Sequence, residues 1–340
     1  MEYSIPELNT TSSLKMAQEL SCMEVDEQFT FNASSMKWVR PFGMLIAVSS
    51  IKQLRNRFSD VPFNMLYDTS TSGINYAGHM GFFKAVSDKI NLGKAPGQAQ
   101  GNNNYIPITE IDLQLLHQNE LQAGNYITMG DAVENEAERL AHILSRDNHE
   151  LHILLTYLIR EILRNIPEHA DSNTAWICGQ YWNDNTAEIA ILDEGIGIRS
   201  SLQKNIKHCE YIKTDEEALQ WAIKAGISQA FQPSKTNKAN DAWSNSGFGL
   251  YMVSQICNEL DGSFCLASGN KYIKLDSDRG LEVKDTYLGG TAAKITISTS
   301  YINKASEIIK RVSAQGECQA RTIRNAFKKA SKTSKGTYFR

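Results

Sequence analysis

Apolar residues recur at helical spacing in five stretches of the chain, 41–58 (PFGMLIAVSSIKQLRNRF), 75–90, 131–146, 158–170 and 247–262. They alternate or run continuously in 27–33, 61–67, 105–113, 174–182, 186–193, 263–269 and 289–298, which predicts strands. The turn NDN at 183–185 joins two of these into a β-hairpin. A further helix is expected around 216–226, inside a long polar stretch. Mixed helices and antiparallel strands in the second half predict an α/β sandwich with helices on one face of the sheet. The helix at 158–170, LIREILRNIPEHA, carries a polar column of Glu161, Asn165 and His169 beside its apolar stripe. Pro167 lies inside the same pattern and predicts a kink or an end near Ile166.

Composition divides this pattern into three regions. Residues 1–126 read as a smaller α/β unit ending beyond the structureless LGKAPGQAQGNNN (92–104), and 127–302 hold the sandwich. From 303 to 340 there are ten Lys or Arg against two Glu, so this segment is +8 and the rest of the chain −11. Basic and aromatic residues interleave in TIRNAFKKASKTSKGTYFR, a pattern suited to nucleic acid or to an acidic protein, and equally to a solvated tail. No apolar run approaches the roughly 18 residues that a membrane helix needs. The polar, acidic start lacks the form of a secretory signal. Six scattered cysteines without a CxxC pair fit reduced thiols. A cytoplasmic protein without a membrane segment is therefore expected.

Four short motifs carry candidate chemistry. Glu161 and Asn165 lie one helical turn apart, where an acid can activate water and an amide can offer a neutral oxygen to magnesium. A solvated helix edge has the same spacing. LDEGIGI (192–198) puts Asp193 at a strand end, followed by Gly195 and Gly197, a turn that lets a ligand approach the backbone. SNSGFGLYMV (244–253) opens a helix through Gly247 and Gly249, leaving backbone N–H groups for an anion. GGT (289–291) sets Thr291 at the start of a strand.

In this order the four motifs resemble the GHKL ATPase superfamily of gyrases, histidine kinases, mismatch-repair ATPases and anti-sigma-factor kinases, over about residues 130–300. The resemblance implies a two-layer α/β sandwich of the Bergerat type that binds ATP with Mg²⁺. It implies Glu161 as the general base, Asn165 as the Mg²⁺ ligand, and Asp193 at the adenine amine with Thr291 assisting through water. Gly195 and Gly197 would form the loop beneath the base, and Gly247, Phe248, Gly249 and Leu250 would offer N–H groups to the phosphates. A lid is expected at about 199–245, with Lys235 and Lys238 as phosphate contacts. His169, four residues after Asn165, is similar to the anti-sigma kinase branch, and either faces the phosphates or caps the helix. His149, in NHELHILL, lies too close to Glu161 to serve as the phosphoacceptor of a two-component kinase.

Residues 29–83 resemble a STAS domain, with Arg40-Pro41-Phe42-Gly43 where an acceptor serine would stand. The expectation is an ATP-driven switch that slowly hydrolyses ATP and regulates a protein partner. The alternatives are a serine/threonine kinase of the anti-sigma type and an ATP-gated binding module without turnover. The expected partners are a regulatory protein, a second copy in a homodimer, and nucleic acid on the 303–340 segment.

Overall fold

The computed structural model describes residues 1–229, 246–300, 302, 304–332 and 334–336. Its centre is a five-stranded antiparallel sheet built from β4 (Tyr105–Asp112), β5 (Thr174–Tyr181), β6 (Thr186–Asp193), β7 (Ser263–Asp276) and β8 (Gly280–Ser298), in the order β4-β5-β6-β8-β7. Alternate residues of the central strands feed different cores. On β6, Ile189 and Ile191 enter one cluster while Ala190 and Leu192 enter another; on β5, Ile177 and Cys178 divide in the same way. A strand buried on both faces needs an apolar residue at nearly every position, and TAWICGQY and TAEIAILD have that form.

One face carries the expected helical layer: α6 (Met129–Leu144), α7 (His149–His169) and α10 (Gly249–Glu259). The opposite face is covered as well, which the expectation of helices on one face did not include. There α2 (Pro41–Arg57) lies between the large sheet and a small parallel sheet of β1 (Glu2–Ser4), β2 (Phe29–Asn32) and β3 (Phe63–Leu66). Almost every residue of α2 up to Ile51 is buried, so GMLIAVSS needs no polar stripe. Its N-terminus meets Glu188, a fully buried carboxylate on β6, which accepts from the Phe42 N–H (3.4 Å) and pairs with Arg40 (3.2 Å). A carboxylate suits the positive end of a helix. The Arg40–Gly43 corner is thus docked on the large sheet.

Helix α1 (Thr10–Ser21) connects β1 to β2 and also packs on β8. The helix expected over 75–90 is two shorter ones, α3 (Ser72–His79) and α4 (Phe82–Val86), separated at Gly81 with φ +94°. Strand β4 lies upstream of the expected boundary at 126/127, yet pairs with β5 through Ile111 opposite Ala175 and belongs to the large sheet. Helix α5 (Leu113–Gln122) follows it directly.

Pro167 does not end α7. The helix continues to His169 and closes with the Ala170 N–H on the Ile166 carbonyl. A proline in the last turn forfeits one backbone hydrogen bond, and burial of Ile166 before it and Ala170 after it holds the turn. His149 is the first residue of this same helix, so it cannot move independently of Glu161.

The expected lid is largely packed in its described part. Helices α8 (Gly197–Gln203) and α9 (Asp215–Ala222), with the connection between them, bury Leu202, Ile212, Ala218 and Leu219 in the core of the helical layer. Lys235 and Lys238 lie outside the described residues. The basic segment is folded too: α11 (Ala305–Thr322) packs on α7 and α10 through Ile308, Ile309, Val312 and Gly316. Among the described residues no helix is long and apolar enough to cross a membrane.

Candidate active site

A cavity opens between α7, α10 and the end of β6. It is lined by Glu161, Asn165, His169, Asp193, Gly197, Gly247, Phe248, Gly249, Leu250 and Thr291, so the four sequence motifs converge on one space.

One end is built on the sheet. Asp193 is the last residue of β6 and stands directly opposite Thr291 of β8, because the two strands pair without interruption from Thr186 to Asp193. Its Oδ1 accepts from the Gly195 N–H at 2.9 Å. Burial pushes the Asp193 carboxyl up to about 6, against the opposing pull of that N–H and of Thr291. The glycines here answer to contacts. A side chain on Gly195 would strike the carbonyl of Ala170, and one on Gly290, at φ +101°, would overlap the carbonyl of Asp193. Ser268 completes this end, donating to the Gly290 carbonyl (2.7 Å) and accepting from the Ile198 N–H (3.0 Å). Sequence reasoning missed Ser268, since nothing local marks a strand serine as a bracket between two distant loops.

The other end is built on helices. Helix α10 begins on the cavity wall at Gly249, where its N-cap residue Phe248 makes no side-chain capping hydrogen bond and a helix start offers backbone N–H groups. Gly249 lies against α7 so closely that a Cβ there would sit 2.8 Å from Glu161 Oε2. Glu161 is 4% exposed and its Oε1 pairs with Arg160 Nη2 at 2.8 Å. Arg160 also reaches Glu134 (3.2 Å). Desolvation alone would lower the Arg160 pKa, but these two carboxylates outweigh it and raise it. Arg160 was also missed; an arginine preceding an acid on a helix looks like a surface pair until both prove buried.

Asn165 donates its Nδ2 to the Glu161 carbonyl at 2.8 Å, which turns Oδ1 away from the helix backbone. His169 ends α7 on the cavity wall, and burial depresses its imidazole to about 4, so it is neutral at pH 7. Its Nε2 stands 3.8 Å from Glu168, too far for a hydrogen bond. Gln229, another residue the sequence did not single out, ties the two helical elements together. It donates to the Glu168 carbonyl (2.6 Å) and accepts from Ser201 (2.9 Å).

The donor set suits a nucleotide held with Mg²⁺. A buried acceptor with glycine-lined access fits a flat base bearing an amine, and an uncapped helix start fits phosphates. Among the described residues no cluster of three or more His, Cys, Asp or Glu could hold a metal by itself.

Residues 151–301 match the family described as Histidine kinase-, DNA gyrase B-, and HSP90-like ATPase. This segment is an ATP-binding domain of the GHKL type, and its motifs lie in one cavity of an antiparallel α/β sandwich. No curated protein and no solved structure gave a match to the chain.

Proposed function

We propose that the protein is a Mg²⁺-dependent ATPase whose slow turnover switches its contacts with a regulatory protein partner. The observation that carries this reading is the meeting of Glu161 with Gly249. The Glu161 carboxylate on the cavity wall lies against the helix start that suits the phosphates, so water held by Glu161 would adjoin the terminal phosphate.

Asp193 accepts the exocyclic amine of the base, with Thr291 beside it, while Gly197 lines the cavity below the ring and the Gly195 N–H holds the carboxylate. N–H groups of Gly247 to Leu250 take the phosphate oxygens. Glu161 receives the proton of the attacking water, and Arg160 fixes the direction of its carboxylate. Mg²⁺, held by Asn165 Oδ1 and the phosphates, supplies charge neutralisation when bound. Neutral His169 can orient the nucleotide by hydrogen bonding but brings no charge to the free site.

The test is Glu161→Gln, which keeps the shape that Arg160 packs against. Nucleotide binding should persist, while phosphate release falls by about 10²–10⁴-fold. Unchanged turnover would remove Glu161 from the base role.

A further inference from the structure

The cavity has a wall that none of the four motifs supplies. Ser331 and Ser334, from the segment beyond α11, line it together with Glu161 and Ser246. Three anchors bring that segment there. Phe327 N–H donates to the Gly226 carbonyl at 2.8 Å, and Gly226 N–H in turn donates to Gly247. Ser331 N–H donates to Ser246 Oγ at 3.1 Å, one residue before the Gly247 turn. The Ser334 carbonyl accepts from Tyr157 Oη at 2.9 Å, and Tyr157 lies one helical turn before Glu161 on α7. Glu317 of α11 braces the segment through the Ala330 N–H (3.0 Å) and Lys335 (2.7 Å). Ser331 and Ser334 are therefore tied to the two elements, the α10 start and the Glu161 turn, that bound the phosphate end.

The two hydroxyls lie 3.0 Å apart, and Ser331 Oγ also accepts from the Ser334 N–H at 3.1 Å. Whichever hydroxyl donates to the other, one O–H proton of the pair is left over for an acceptor. When Ser331 is the donor, the remaining proton is that of Ser334, which is nearly inaccessible from outside; when Ser334 is the donor, it is that of half-buried Ser331, and both hydroxyls belong to the cavity wall.

We propose that Ser331 and Ser334 form part of the nucleotide site and donate to the terminal phosphate of a bound nucleoside triphosphate. Through them the C-terminal segment distinguishes triphosphate from diphosphate. This rests on the nucleotide reading of the cavity given above.

The full-length chain and its Ser331→Ala/Ser334→Ala double variant are titrated by calorimetry with ADP and with a non-hydrolysable ATP analogue, both with Mg²⁺. A hydrogen bond to a charged group predicts that the variant loses about tenfold in affinity for the analogue and keeps its affinity for ADP. Equal loss for both ligands, no loss, or tighter analogue binding would overturn the proposal, the last because it would make the segment a plug. If the wild-type chain binds neither nucleotide, the reading of the cavity falls and the proposal with it. A second measurement needs no variant: tryptic cleavage of the wild-type chain at the exposed Arg324, Lys328 and Lys329. The analogue should slow it more than ADP does; equal rates, or faster cleavage with the analogue, would contradict the assignment.

Discussion

The two ends of the cavity are made in different ways. At the sheet end, Asp193 and Thr291 are cross-strand partners, and Gly195 and Gly290 pack backbone against backbone, so position there follows from strand register. At the helical end, Glu161, the α10 start and the Ser331 and Ser334 wall come from segments up to 173 residues apart in number, brought together by docking. The sheet end should therefore be rigid and specify the base. The helical end should tolerate change in the free protein and reveal itself through phosphate-dependent effects.

The sharpest contrast is between two glycines. Gly290→Ala adds a Cβ into a backbone carbonyl at positive φ, and should cost roughly 3 kcal/mol or more of stability in thermal or urea unfolding. Gly249→Ala meets the end of a carboxylate side chain, so its unfolding should change by less than about 1 kcal/mol. Its phosphate-dependent affinity, ADP relative to adenosine, should instead fall about tenfold. Equal destabilisation by the two substitutions would erase the distinction.

Asp193→Asn comes next. The folded-state pKa of about 6 lies above the unfolded 3.8, so the stabilising contribution of the protonated form is full below 3.8 and lost as pH rises through 6. At pH 7.5 the ionised carboxylate costs on the order of 3 kcal/mol in the free protein. The asparagine variant should consequently melt higher than wild type at pH 7.5, with the difference shrinking toward pH 4. A lower melting temperature at pH 7.5 would show that the buried charge is already compensated.

The same titration governs binding. Protonated Asp193 accepts an amine poorly, so ADP affinity should weaken below about pH 6, by at most tenfold per unit. His169 adds nothing in this window, because it titrates near 4. A flat affinity profile from pH 7 to 5 would separate Asp193 from the base.

The smallest expected effect concerns the cover on the far face. Ser49 of α2 donates to Glu194 at 3.2 Å, and Gln53 donates to the Gly289 carbonyl at 3.2 Å. Both bonds support the sheet end from behind. Gln53→Ala removes three partly exposed hydrogen bonds, to Ser49 and to both backbone groups of Gly289, and should weaken ADP binding about twofold. No change would confine the cover to a packing role.

The contrast between the ends also explains what could be read in advance. Glu161 and Asn165 were legible because helical spacing alone sets them on one side, and Asp193 with its glycines because the motif is contiguous. The destination of β4 was not. Its alternation fits an edge of either sheet, and its partner β5 lies more than sixty residues away. The docked C-terminal segment was hidden by composition: Arg311, Arg321 and Lys328 sit on its exposed face and dominate the count. A signal was nonetheless present. Ile308, Ile309, Val312, Gly316 and Ala320 keep helical spacing, with small residues where Gly316 meets Tyr251 and Phe248. The cover by α2 had a signal as well, since unbroken apolar strands such as TAWIC imply burial on both faces.

The central claim is that adenine nucleotide occupies this cavity with its base at Asp193. Calorimetric titration of the full-length chain with ADP and GDP in the presence of Mg²⁺, repeated on Asp193→Asn, tests it most directly. The account predicts one ADP per chain, much weaker GDP binding, and loss of ADP binding by about 100-fold in the variant. Equal affinity for the two bases, or ADP binding unchanged in Asp193→Asn, would contradict it.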